Sequence, residues 1–156
     1  MPADTGAASD SGADGAGRVV VPDWPAGTVT LLAVTEDDGT PGLLPVSTAV
    51  AAGDARVLLA LGRRRASLAA LRARPRCALA VLAAGDVAVT LHGSAAVLAD
   101  GPDGAEGIAV VELTVLRVQD HNSPRFTIDG GVPWAWVDDE ARERDAATRA
   151  ALQRFA

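Results

Sequence analysis

The chain contains no lysine and no tyrosine, one cysteine, two histidines, three tryptophans and two phenylalanines. Each scarcity excludes something. A single thiol, Cys77, builds neither an internal disulfide framework nor a multi-cysteine metal site, so a reducing compartment is the simplest expectation. Cys77 opens an apolar run and reads as a small core residue, with a reactive thiol as the alternative. His92 and His121 have no Cys or Glu at helical or finger spacing, and no metal is expected. No apolar run is long enough to span a bilayer, and the N-terminal stretch lacks the basic start and apolar segment of a secretory signal, so a soluble, cytoplasmic protein is expected. With lysine absent, all fourteen basic residues are arginine, and the formal net charge is −6. That balance gives no broad basic face, so neither nucleic acid nor an anionic membrane surface is an expected partner. No nucleophile elbow, P-loop or dinucleotide-binding G-x-G-x-x-G stands between a strand and a helix, so hydrolase and kinase chemistry fall away.

What is present is aliphatic. Of 156 residues 49% are apolar, mostly Ala, Val and Leu, and the length suits one domain with a real core. Residues 1–18 are small, acidic and Gly/Ala/Ser-rich, a composition that cannot bury enough apolar area to offset the entropy of ordering; disorder is expected there, with a single domain over residues 19–156. Val19 to Trp24 offers an aromatic anchor between prolines. Six strands are expected: Thr28–Thr35, Gly42–Val50, Val57–Leu61, Cys77–Leu82, Val87–Leu98 and Ile108–Val118, joined by short Gly-containing turns that indicate an antiparallel meander. Gly93 falls in the apolar register of the fifth and marks a bulge or a close approach. A short helix from Ala66 to Arg74 places Leu68 and Leu71 on one face, stops at Pro75, and is expected to plug the mouth of a barrel. Asp138, Asp139 and Glu140 open a C-terminal helix. The fold class is therefore mainly β with minor α: a six-stranded antiparallel barrel with one helix between strands and one at the C-terminus.

The most informative stretch runs from Arg56 to Leu82: a buried strand, a glycine, three arginines, a helix N-terminus, and a return strand. The first N–H groups of a helix lack intrahelical partners and carry partial positive charge, and Arg63, Arg64 and Arg65 stand beside them. Ser67 adds a hydroxyl in the first turn. Guanidinium forks match phosphate oxygens, so the turn reads as a phosphate site or as a solvated cationic turn; the residues alone leave both open. Trp134 and Trp136 are two apart, so in an extended segment both indoles face one way. They suit either an anchor for the C-terminal arm or the cover of a planar ligand.

The run G-R-R-R-A-S-L-A-A-L-R-A-R-P-R-C-A-L-A-V-L, preceded by G-T-P-G-L-L-P-V-S-T-A-V and followed by V-A-V-T-L-H-G-S-A-A-V-L, resembles the FMN-binding split barrel of the pyridoxamine 5'-phosphate oxidase superfamily over roughly Thr28 to Val118. The resemblance implies a homodimer with FMN at the interface. It places Arg65 and Ser67 where members commonly carry an Arg and a Lys on the flavin phosphate, with Arg63 and Arg64 as neighbours able to substitute. It places Val46 and Ser47 at the ring edge and Trp134 or Trp136 over the ring. Ser67 departs from the family lysine, and the basic C-terminal substrate motif of the oxidase itself is not evident. The implied activity is flavin-mediated hydride or electron transfer to a small molecule. Alternatives are an F420-dependent reductase on the same fold and a non-catalytic flavin-binding carrier or sensor.

Overall fold

A computed structural model describes residues 17–156, so the tail expected over residues 1–18 falls almost wholly outside the described residues. The chain forms β1 (Thr30–Thr35), β2 (Pro41–Val46), β3 (Val50–Ala51), β4 (Arg56–Gly62), α1 (Ala66–Ala73), β5 (Arg76–Ala83), β6 (Val87–Asp100), β7 (Ile108–Asp120) and α2 (Asp139–Gln153). The strands make one sheet in the order β2-β1-β5-β6-β7-β4-β3, with every pair antiparallel.

The expected six strands are seven, because the stretch expected as one strand over Gly42–Val50 divides into β2 and β3. The reason is local. After Val46 the backbone leaves its ladder with β1, and the Thr48 hydroxyl takes the place of a ladder partner, accepting from Ala60 N at 3.0 Å and donating to Ala60 O at 3.3 Å. Such side-chain bonds compete with a regular ladder. This corner also closes the fold. β2 and β3 are the opposite edges of the sheet, yet only residues 47–49 separate them, a span of at most about 14 Å. The sheet must therefore curl to bring its edges near each other, a half-barrel in keeping with the barrel architecture expected. Trp24 donates its indole N–H to Ala49 O at 3.0 Å and Val21 N donates to Asp54 O at 2.7 Å, so the N-terminal anchor pins this same corner.

Alternation decides where the core lies. Val57, Leu59 and Leu61 of β4 point into the barrel with Leu32, Leu79, Val81, Leu91, Val111 and Leu113. Leu68 and Leu71 of α1 join that cluster and plug it, as expected from their spacing. Leu58 points the other way and is buried with Val110 beneath Leu152 of α2, a second small core on the outside of the barrel. The Asp138 side chain caps α2 by accepting from Ala141 N at 2.8 Å, and its first turn carries Asp139 and Glu140.

Two positions explain backbone demands. Gly85 and Asp86, with φ of 83° and 58°, make the left-handed turn between β5 and β6 that most side chains avoid. At Gly93 a Cβ would lie 2.0 Å from Thr114 O, beside a register shift between His92 and Gly93 in the pairing with β7. Bulge and close approach coincide there.

Candidate functional site

Gly62 ends β4, and the chain turns through Arg63 and Arg64 into α1, whose N-cap Arg65 is extended at φ −76°, ψ 139°. No side chain caps this helix. Arg65 N donates to Gly62 O at 3.0 Å and Arg63 N to Gly107 O at 3.1 Å, so the turn is braced against the β6–β7 loop. A Cβ at Gly62 would stand 3.3 Å from Cγ of Arg65; the bare backbone lets the Arg65 stem lie over the strand end. Among the described residues the Arg65 guanidinium makes no hydrogen bond or ion pair.

The three arginines line two adjoining hollows, with Arg65 in both. The first, about 730 Å³, is lined by Gly62, Arg63, Arg64, Arg65, Arg72, Asp100, Glu106 and Gly107. Here Asp100 accepts from Arg63 Nε at 2.5 Å and from Arg72 Nη2 at 2.7 Å, and Glu106 O accepts from Arg63 at 3.3 Å. The Arg72 and Arg63 guanidiniums together hold the Asp100 carboxyl below the usual carboxylate range. Two of the four cations are therefore already answered by one carboxylate.

The second hollow is a cleft of about 570 Å³ lined by Ser47 and Thr48 from the β2–β3 corner, Ala60 and Gly62 from β4, Arg65, Ile108, Trp136, and Ala141, Arg144, Asp145 and Thr148 from α2. Ser47, Thr48, Ala60, Gly62 and Arg65 also line a smaller hollow of about 160 Å³ that reaches Pro45 and Val46. Three of the residues singled out in the sequence, Ser47, Arg65 and Trp136, thus meet in one cleft from three distant parts of the chain, with Val46 in the smaller hollow beside it. Asp145 does not leave this cleft acidic, since Arg149 Nε donates to it at 2.7 Å and Arg149 Nη2 donates to Ser47 O at 3.1 Å.

The other expected residues fall elsewhere. Arg63 and Arg64 belong to the first hollow. The Ser67 hydroxyl oxygen is buried without a hydrogen-bond partner and lines neither hollow. Trp134 donates its indole N–H to Gly27 O at 2.8 Å and meets Trp136 edge to face, centroids 4.9 Å apart, so it buttresses Trp136 instead of lining the cleft. The sequence reading missed Thr48, Arg144, Asp145 and Thr148. Ala141, Arg144, Asp145 and Thr148 are spaced i, i+3, i+4, i+7, one stripe of a helix, but the stripe alone does not say what it faces.

The cleft suits a phosphate-bearing planar ligand. Its size lies within the range of about 300 to 1,000 Å³ usual for small-molecule sites. It offers an unpaired guanidinium, three hydroxyl-bearing residues and an indole 38% exposed. No group of three His, Cys, Asp or Glu residues able to hold a metal comes together among the described residues. Burial pushes the Cys77 thiol up to about 11, so it is a protonated, unreactive group near neutral pH. Among the described residues no helix is long and apolar enough to cross a membrane.

No family model and no curated protein matches the chain. Solved structures do. An F420 reductase superposes with a TM-score of 0.54 at 14% identity, over 61% of this chain and 91% of its own. HupZ of Group A Streptococcus gives 0.53 at 15% identity, over 67% and 90%. A candidate pyridoxamine 5'-phosphate oxidase from Lactobacillus delbrueckii gives 0.50 at 18% identity, over 59% and 84%. The chain has the split-barrel fold that these proteins share.

Proposed function

We propose that the chain is a flavin-binding split-barrel protein of the oxidoreductase type that takes FMN into the cleft between the β2–β3 corner and α2. The observation that carries this reading is the convergence of Ser47, Arg65 and Trp136 on one cleft. Arg65 would hold the phosphate, Val46, Ser47 and Thr48 the ring edge, and Trp136 would lie against the isoalloxazine. When bound, the flavin supplies hydride or electron transfer to a small-molecule substrate, and the chain supplies binding and orientation. Arg63 is a poorer phosphate ligand than Arg65, because a phosphate there would compete with Asp100 at 2.5 Å.

F420 is the second reading. The F420 reductase likeness supports it, as does Arg64, which stands in the hollow beyond Arg65 with no ion pair among the described residues and offers a cation to a longer anionic tail. An absorbance spectrum of the purified protein, taken before and after addition of FMN and then of F420 with desalting between, tests both. A flavin or deazaflavin band that survives desalting is the expected result; a protein that retains neither overturns the cofactor reading.

The protein is further proposed to act as a homodimer. The outward face of the sheet at β2-β1-β5 carries Leu43, Leu31 and Leu82, all exposed. Beside it an apolar groove of about 290 Å³ is lined by Val29, Leu31, Ala80, Leu82 and Val132. Contiguous exposed apolar surface of this kind marks interaction sites. Leu82→Glu is expected to turn a dimer into a monomer by light scattering, with helix and strand content unchanged by circular dichroism.

A further inference from the structure

The cleft holds a second cation that nothing in the flavin reading requires. Arg144 lines it from α2, opposite Arg65 on the β4–α1 corner. We infer that Arg144 and Arg65 form a two-sided clamp on one phosphoryl group, so that the C-terminal helix is part of the binding site and not only a cover for the outer core. This inference rests on the phosphate reading above.

Three features support it. First, Arg144 is weakly committed. Its one ion-pair partner among the described residues is Glu140, one turn back at 3.2 Å, with both side chains about three-quarters exposed. Pairs of that kind contribute little, so the guanidinium exchanges Glu140 for a phosphate readily. Second, the one carboxylate that lines the cleft is answered from behind. Asp145 receives Arg149 Nε at 2.7 Å, leaving Arg65 without a carboxylate partner among the described residues and Arg144 with only its exposed pair to Glu140. Third, α2 is fixed in register with the opposite wall. Arg149 also donates to Ser47 O at 3.1 Å, and Arg56 Nη2 donates to Phe155 O at 3.0 Å at the far end of the helix. A guanidinium carried on a helix whose C-terminal half is tied to the barrel is placed near the cleft before the ligand arrives, which lowers the ordering cost of binding.

The test compares FMN with riboflavin, which lacks the phosphate, by quenching of flavin fluorescence on wild type, Arg65→Ala, Arg144→Ala, Arg144→Lys and Glu140→Gln. Arg144→Ala is expected to weaken FMN by about tenfold or more, the effect of losing a charge-assisted hydrogen bond, and to leave riboflavin unchanged. Arg144→Lys should recover part of the loss, and Glu140→Gln, which frees Arg144, should tighten FMN. The double variant with Arg65→Ala should lose less than the two single losses multiplied, since both grip one group. An Arg144→Ala protein that binds FMN within twofold of wild type while Arg65→Ala does not overturns the clamp alone. Equal binding of FMN and riboflavin by wild type overturns the phosphate reading and the clamp with it. Circular dichroism of each variant separates either result from loss of α2.

Discussion

The two hollows flanking Gly62 and Arg65 are built from the same residue type and differ in what answers it. In the first, Asp100 bridges Arg63 and Arg72, and the cations serve the fold. In the second, Asp145 is taken by Arg149, and Arg65 and Arg144 face open space. An arginine triplet in a turn is therefore not one site. Among the described residues Arg63 is answered by a carboxylate supplied from far away in the chain, while Arg64 and Arg65 have no ion-pair partner. What separates a structural arginine from a candidate ligand-binding one here is a carboxylate at the end of β6.

The sharpest way to break this contrast is to remove one arginine from each side. Arg65→Ala is expected to weaken FMN by about 1.5 to 3 kcal/mol, the range for a hydrogen bond to a charged group. Arg63→Ala is expected to leave FMN affinity within twofold of wild type. Isothermal titration of both variants measures the two numbers, and equal losses would mean that the hollows act as one site.

Arg149→Ala sharpens the same contrast from the α2 side. The change strands Asp145, only 13% exposed in its side chain, and removes the donor to Ser47 O. A loss of about 1 to 2 kcal/mol in urea unfolding follows from leaving partly buried polar groups unanswered. FMN affinity should fall with it, because one wall of the cleft loses its tie to the other. The first hollow has no residue from α2 and should not notice. An unfolding curve shifted without any change in FMN affinity would separate α2 from the site.

Much of the barrel was legible because it rests on local signals. Alternation in β6, the glycine out of place at Gly93, the Leu68 and Leu71 pair and the proline stop are each read from neighbouring residues, and each is met in the structure. The split of Gly42–Val50 into β2 and β3 was not legible. It depends on Thr48 meeting Ala60, twelve residues on, and no periodicity in the segment encodes that. The site was legible in part for the same reason. Arg65 and Ser47 belong to the stretch that carries the family resemblance, and the structure brings both to one cleft. Arg144 was missed because a helix stripe shows its own face but not the surface it meets. The tie of Arg63 to Asp100 was not legible, because Asp100 lies 37 residues away.

The smallest expected effect tests the structural side of the contrast. Hydrogen bonds from Arg72 and Arg63 stabilise the charged form of Asp100 and hold its carboxyl below its ordinary value. A depressed carboxyl contributes stability that is fully present above its unfolded value and is lost as pH falls through the folded one. The Arg63–Asp100–Arg72 cluster is thus intact at pH 7 and at pH 5, and it releases both arginines only in acid below the ordinary carboxylate range. Asp100→Asn imitates that protonated state at every pH. Wild type should be slightly more stable than the variant at pH 7, and the gap should close as pH falls below the ordinary carboxylate range, measured by chemical denaturation at each pH. The groups are exposed, so the gap is small and should shrink further in salt. The same variant frees Arg63 and Arg72 at neutral pH, so it should give the first hollow an affinity for inorganic phosphate that wild type lacks. If it does, a single carboxylate decides which of two neighbouring arginine hollows is open to an anion; if the variant binds phosphate no better than wild type, the sorting must come from the shape of the hollow and not from its counterion.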